Sequence, residues 1–184
     1  MREKVLLNAE QIKITLYRLA CQLVENHKDF SQTVLIGIQP RGSAVLDKLV
    51  DILRNKYGIQ NIEKGYLDIT FYRDDFRRRE KPLQANSTEI HTLLEGKKVV
   101  LVDDVLYTGR SIRAALTAIE SYGRPDAIEL LVLIDRRFSR NLPIQPTYKG
   151  KQIDAFNNEK VSVRWSDGTT PDTVYIISKN TSHP

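Results

Sequence analysis

Cysteine is nearly missing from this chain of 184 residues. Cys21 stands alone, so no internal disulfide can form, and a reducing compartment, the cytoplasm, is expected. No His or Asn pattern accompanies Cys21, which reads as a small packing residue on a helix. The three histidines, His27, His91 and His183, show no metal-ligand spacing and read as surface residues. The one tryptophan, Trp165, reads as core. Long apolar runs are lacking too. Stretches such as "VVLV" (99–102) and "LLVLI" (130–134) are far too short to cross a bilayer, and "MREKVLLNAE" has no apolar core suited to a secretory signal. No G-x-x-x-x-G-K-[ST] occurs, and "IGIQPRG" does not match G-x-G-x-x-G, so neither a P-loop nor a dinucleotide fold is indicated.

What is present suits one domain spanning 1–184 with a real core. Hydrophobic residues make up 41% and charged residues 28%, ordinary values for a globular chain. The net charge of +5 favours phosphate-bearing partners, nucleotide or nucleic acid, over a purely solvated surface only if a site accompanies it.

"NAEQ" (8–11) predicts a capped helix start, with Ile12, Leu16, Leu19, Ala20, Leu23 and Val24 on one face. "TVLIGI" (33–38), "KKVVLV" (97–102) and "IELLVLI" (128–134) predict strands covered on both faces. The loop "QPRG" leads to a helix over 43–57 stopped by Gly58, and a second helix spans 109–122 before Gly123. "YLDITFY" (66–72) alternates Leu67, Ile69 and Phe71 as a half-wet strand. "RDDFRRREKPLQANSTE" (73–89) reads as a long loop or arm, and "LPIQPTYKG" (142–150) as a proline-rich turn region. Strands then follow at "KVSVRW" and "TVYIIS". The alternation predicts an α/β fold, with a central, mainly parallel sheet flanked by helices.

One segment carries the chemistry. "VVLVDDVLYTGRS" (99–111) ends a strand on Asp103 and Asp104, two acids that repel each other. Helix capping needs one acid, not two. A Walker B strand would need the missing P-loop, and a receiver domain carries its acids after the first strand. At the carboxyl end of a parallel strand, paired carboxylates can accept hydrogen bonds from the 2′ and 3′ hydroxyls of a ribose, or hold a divalent cation through water. Thr108 and Ser111 offer hydroxyls, Gly109 permits a tight turn, and the following helix aims its free N–H groups into the loop. Diol acceptors beside a phosphate cradle describe a ribose 5-phosphate.

These residues resemble the 5-phosphoribosyl-1-pyrophosphate (PRPP) signature of the type I phosphoribosyltransferases. "DITFYRDD", "GRPDAIELLVLIDR", "LPIQPTYKGK" and "EKV" are similar to the PyrR group, pyrimidine-operon regulators that are also uracil phosphoribosyltransferases. The resemblance implies the type I fold, with a mobile loop and a small base-binding hood. It implies uracil and PRPP as substrates, UMP and pyrophosphate as products, and Mg²⁺ carried mainly by PRPP, in part through Asp103 and Asp104 via water. Asp103, Asp104 and Arg41 are then the catalytic candidates. Val105, Leu106, Tyr107, Thr108, Gly109, Arg110 and Ser111 would take the 5′-phosphate, and Pro40, Arg41 and Gly42 the pyrophosphate. Tyr72, Arg73, Arg77, Arg78 and Arg79 belong to the mobile loop. Asp135, Arg136 and Val161 would form the uracil pocket, which Arg137, standing where the group usually carries Gly, is expected to narrow.

The alternatives are a UMP- or UTP-sensing RNA-binding attenuation regulator, or a transferase for another base. The group presents a Thr and a His one helical turn apart toward RNA. Tyr17 and Cys21 align there, with Lys13, Arg18, Arg137, Arg140 and Lys151 as nearby cations for phosphate contact. Attenuator RNA is therefore expected to bind weakly. The family also implies a dimer or larger homo-oligomer.

Overall fold

The computed structural model describes residues 2–74, 86–155 and 159–178. In chain order the elements are β1 (Arg2–Leu7), α1 (Ala9–His27), β2 (Thr33–Ile38), α2 (Arg41–Tyr57), β3 (Glu63–Leu67), β4 (Lys98–Leu106), α3 (Arg110–Ile119), β5 (Ala127–Arg137), β6 (Tyr148–Asp154), β7 (Glu159–Arg164) and β8 (Thr173–Ser178). Five parallel strands form the main sheet in the order β3-β2-β4-β5-β6, and a smaller antiparallel sheet runs β1-β8-β7.

The pleat explains why the central strands are apolar on both faces. Val100 and Val102 pack with Leu16, Leu19, Val45 and Leu49 under α1 and α2. Val99 and Leu101, alternating with them in sequence, pack with Ile112, Ala115 and Ile119 under α3. The small sheet joins the first of these cores through Leu7, Val161 and Val174. Helix α1 starts in the expected capping box, in which the Asn8 side chain and Gln11 bond each other's backbone N–H. Helix α2 stops at Gly58, whose φ of 69° is left-handed, as a C-terminal glycine allows.

Four expectations change. The strand at 66–72 ends at Leu67 and gives way to a 3-10 turn at Thr70–Tyr72. Ile69 stays buried, but Phe71 is exposed, so its apolar spacing reports no strand face. β6 opens inside the region read as turns, and β1 was not foreseen. Trp165 is only half-buried, packed at the margin of the core. His27 is no surface residue. It is 7% exposed, with Nδ1 3.0 Å from Thr33 Oγ1, and Nε2 3.0 Å from Glu129 Oε2 and 3.1 Å from the Tyr148 hydroxyl. Burial holds its pKa below the usual value although Glu129 pulls the other way. This cluster closes the amino end of the main sheet.

Candidate active site

β4 runs four residues further than the sequence reading, to Leu106, so Asp103 and Asp104 lie within the strand. Both are buried. The Asp103 carboxylate accepts a 2.9 Å hydrogen bond from the Asp104 backbone N–H. Burial, with the neighbouring Asp104 charge, pushes Asp103 well above the usual carboxylate range. Burial also raises Asp104, against the pull of the Arg41 guanidinium.

The two acids serve different walls. Asp103 lines a cleft of about 290 Å³ with Val105 to Ile112 and Arg73. Asp104 turns toward Arg41, whose Nη1 stands 3.9 Å from its Oδ2. That distance suits an ion pair but not a hydrogen bond. Asp104 Oδ2 is buried and has no hydrogen-bond partner among the described residues. An unsatisfied buried carboxylate oxygen is costly in a folded chain and fits a ligand hydroxyl or a hydrated cation. The hard oxygen donors of this pair suit Mg²⁺ in particular.

Glycine sets both flanking turns. At Gly42 a Cβ would stand 2.2 Å from the Val102 carbonyl oxygen, so only glycine lets the first turn of α2 press against β4. That contact brings Arg41 beside Asp104. The Gln39–Pro40 peptide before it is cis. Gly109, with φ of 89°, is the left-handed residue ahead of α3, whose first turn carries no acid. The Arg110 N–H reaches the Thr108 hydroxyl at 3.4 Å, and the positive helix end faces the loop with no acid of its own element beside it.

Around this centre the other expected residues fall unevenly. Arg73 reaches the Ser111 hydroxyl at 3.5 Å, and Tyr72 ends the preceding 3-10 turn. Arg77, Arg78 and Arg79 lie outside the described residues. Arg110 and Arg113 pair with Asp74 at 2.8 Å and 2.6 Å. Asp135 is buried, but its carboxylate is engaged by Arg140 and, at 2.9 Å, by Gln152. Buried Arg136 lays its guanidinium 4.0 Å from the centre of the Tyr107 ring, tying the end of β5 to the 105–111 loop. Val161 sits on β7, an edge strand of the small sheet. Arg137 is exposed and forks onto Asp154 at 2.6 and 2.7 Å.

One residue is placed differently from the sequence reading and one escaped it. Arg140 donates to the Leu106 and Tyr107 carbonyls behind the 105–111 loop rather than standing on a cationic surface. Asp68 accepts from Thr70 N at 2.8 Å and from Asn86 N at 2.7 Å, joining the chain on either side of the arm. A buried-looking Asp at the end of β3 was the available signal for Asp68. Nothing local marks Arg140.

Residues 4–167 match the family described as the phosphoribosyl transferase domain. The chain is 45% identical to the Bifunctional protein PyrR of Trichormus variabilis over 172 residues, covering 94% of each. It is 39% identical to that of Enterococcus faecalis, covering 98% of this chain and 99% of the relative. Among solved structures, a hypoxanthine-guanine phosphoribosyltransferase of Bacillus anthracis superposes with a TM-score of 0.67 at 15% identity, covering 95% of this chain and 98% of the other. That likeness establishes the type I fold alone. A buried acid pair, a left-handed glycine before α3 and an arginine at the start of α2 thus stand in a chain that belongs to the phosphoribosyltransferase family, within its PyrR group.

Proposed function

We propose that the chain transfers ribose 5-phosphate from PRPP to uracil, releasing UMP and pyrophosphate. The observation that carries this reading is the buried Asp104 oxygen, ion-paired with Arg41 but without a hydrogen bond among the described residues, on the strand that leads into the Gly109 turn. Loss of pyrophosphate leaves positive charge on the anomeric carbon and ring oxygen. Asp103 and Asp104 accept from the ribose hydroxyls, and their charge favours that cationic transition state. Val105 to Ser111 hold the 5′-phosphate, and fixing both ends of the sugar removes much of its freedom before reaction. Pro40, Arg41 and Gly42 face the leaving pyrophosphate, where the guanidinium is a forked, permanently charged donor. Mg²⁺, when bound with PRPP, neutralises the pyrophosphate and makes it a better leaving group. Arg73, which lines the cleft, helps with Tyr72 to keep water from PRPP.

With the Asp135 carboxylate engaged inside the protein, uracil meets Arg136, the backbone at the end of β5 and the free edge of β7 at Val161. Backbone groups supply the alternating donors and acceptors that a pyrimidine edge requires. A cytoplasmic location and a homo-oligomeric assembly belong to the same reading. The alternative reading, a UMP- or UTP-sensing RNA-binding attenuation regulator, draws on the relatives' description as bifunctional and the basic sequence pI near 9.3.

The test is a parallel assay of uracil, guanine, hypoxanthine and orotate with PRPP and Mg²⁺. Uracil is expected to be the preferred acceptor. Faster turnover of a purine or of orotate overturns the base assignment and leaves the fold untouched.

A further inference from the structure

The segment after β5 holds an arginine that this mechanism does not use. The Arg140 guanidinium donates to the carbonyls of Leu106, Tyr107 and Arg136 through Nη1, to the carbonyl of Ile144 through Nε, and to the Asp135 carboxylate through Nη2. The Leu106, Arg136 and Ile144 bonds measure 3.2, 2.9 and 3.1 Å. One planar fork thus gathers three stretches of chain: the phosphate loop, the end of β5 and the turn that follows it. Only arginine presents donors in that pattern.

The direction of those bonds matters. In a trans peptide, a carbonyl and the next residue's N–H point opposite ways. With the Leu106 and Tyr107 carbonyls drawn to Arg140, the N–H groups of Tyr107 and Thr108 are turned away from it. The Thr108 carbonyl accepts from the Asn141 N–H at 3.0 Å, which turns the Gly109 N–H away from that segment in the same manner. Three successive N–H groups are therefore set on a stretch that lines the cleft. Successive N–H groups so turned form a concave anion receptor. A Cβ on Gly109 would stand 3.2 Å from the Ile144 side chain and 3.5 Å from that of Leu142, so the segment that Arg140 anchors also packs along this turn.

We propose that Arg140 is a positioning residue for phosphoribosyl transfer. It aims the peptide N–H groups of Tyr107, Thr108 and Gly109 at the 5′-phosphate and locks that loop to the end of β5 that meets the base. The inference rests on the transfer reading above. It removes Arg140 from the cations expected to face RNA, because its donors are committed inside the protein.

The experiment compares ribose 5-phosphate and Mg²⁺-pyrophosphate binding by calorimetry in the full chain and in Arg140→Lys, with PRPP kinetics alongside. Lysine keeps the charge facing Asp135 but cannot reach the spread acceptors together. None of those acceptors lies on the Pro40 to Gly42 turn. Ribose 5-phosphate binding is expected to weaken by about tenfold or more and KM for PRPP to rise in step, while pyrophosphate binding stays within about twofold. Arg140→Ala, where it folds, should regain part of its ribose 5-phosphate affinity when guanidinium ion is added at concentrations below those that unfold the chain. Unchanged ribose 5-phosphate binding in Arg140→Lys overturns the proposal. Equal weakening of both ligands overturns it as well, since a general loosening would act on both sites. A wild-type chain that binds both ligands but ignores uracil overturns the base assignment above and leaves this inference standing or falling on Arg140→Lys alone.

Discussion

At the scale of single residues, the acid pair is kept at a cost. A carboxyl whose native pKa is raised binds protons more readily folded than unfolded. Its stabilising contribution is complete below the unfolded value of 3.8 and is lost as pH rises through the raised native value. Asp104→Asn removes that burden with almost no change of shape. The variant is expected to lose about 2–4 kcal/mol of transition-state stabilisation, roughly 30- to 1,000-fold in turnover. It should also melt at or above the wild-type temperature, with the difference growing as pH rises from 4 to 7. Steady-state assays and thermal melts across that range check both halves. Wild-type turnover would reduce Asp104 to a structural residue.

At the scale of elements, the approach of α2 to β4 decides where Arg41 stands. Gly42→Ala places a Cβ 2.2 Å from the Val102 carbonyl oxygen and 3.1 Å from the Asp103 α-carbon, and both are backbone atoms with little room to yield. The expected result is about 1–3 kcal/mol of destabilisation from overpacking. Turnover should fall further than stability explains, because Arg41 is carried away from Asp104. Denaturant titration set beside kcat at a temperature where both proteins are folded measures the two effects. An alanine variant with native stability and turnover would show that the helix start adjusts freely.

Elements also show what a sequence can tell. β2, β4 and β5 were legible because burial on both faces leaves apolar runs such as "VLIGI" and "LLVLI". α1 was legible from its capping box. β1 and β6 were not, because each is an edge strand held by its backbone ladder, and residues such as Arg2, Glu3, Lys149 and Lys151 carry little apolar pattern. Phe71 was misread because its spacing matched Ile69 while the backbone had already turned. Asp103, Asp104 and Gly109 were legible because their chemistry is local. Arg140 was not, since four of its five acceptors are main-chain carbonyls, drawn from three separate stretches. His27 was missed for the same reason, its partners lying on β2, β5 and β6.

At the scale of the whole molecule, the net charge of +5 is less available than it looks. Arg137 is held by Asp154, Arg18 donates to the carbonyls of Lys149 and Gly150, Lys151 reaches the Leu6 carbonyl at 3.4 Å, and Arg140 faces inward. On α1 the Tyr17 ring already carries Lys56 Nζ, 4.4 Å from its centre, and Cys21 Sγ stands 3.8 Å from the Glu25 carboxylate. An RNA base stacking on Tyr17 would have to displace that lysine. Attenuator RNA is therefore expected to bind weakly, with a steep salt dependence and little sequence preference. Filter binding of the pyrimidine leader against a scrambled RNA, at low and near-physiological salt, with and without UMP, decides it. Tight, UMP-enhanced preference for the leader overturns the expectation and supports the regulatory role.

The cluster of His27, Thr33, Glu129 and Tyr148 gives the molecule an asymmetry under acid. A histidine whose native pKa is lowered resists taking up a proton, so its contribution to stability is present above 6.5 and is lost as pH falls through the lowered native value. The acid pair at the opposite end of the main sheet responds in the contrary sense and is relieved by the same protons. Mild acidification thus weakens the amino end of the main sheet while easing the carboxyl end that holds Asp103 and Asp104.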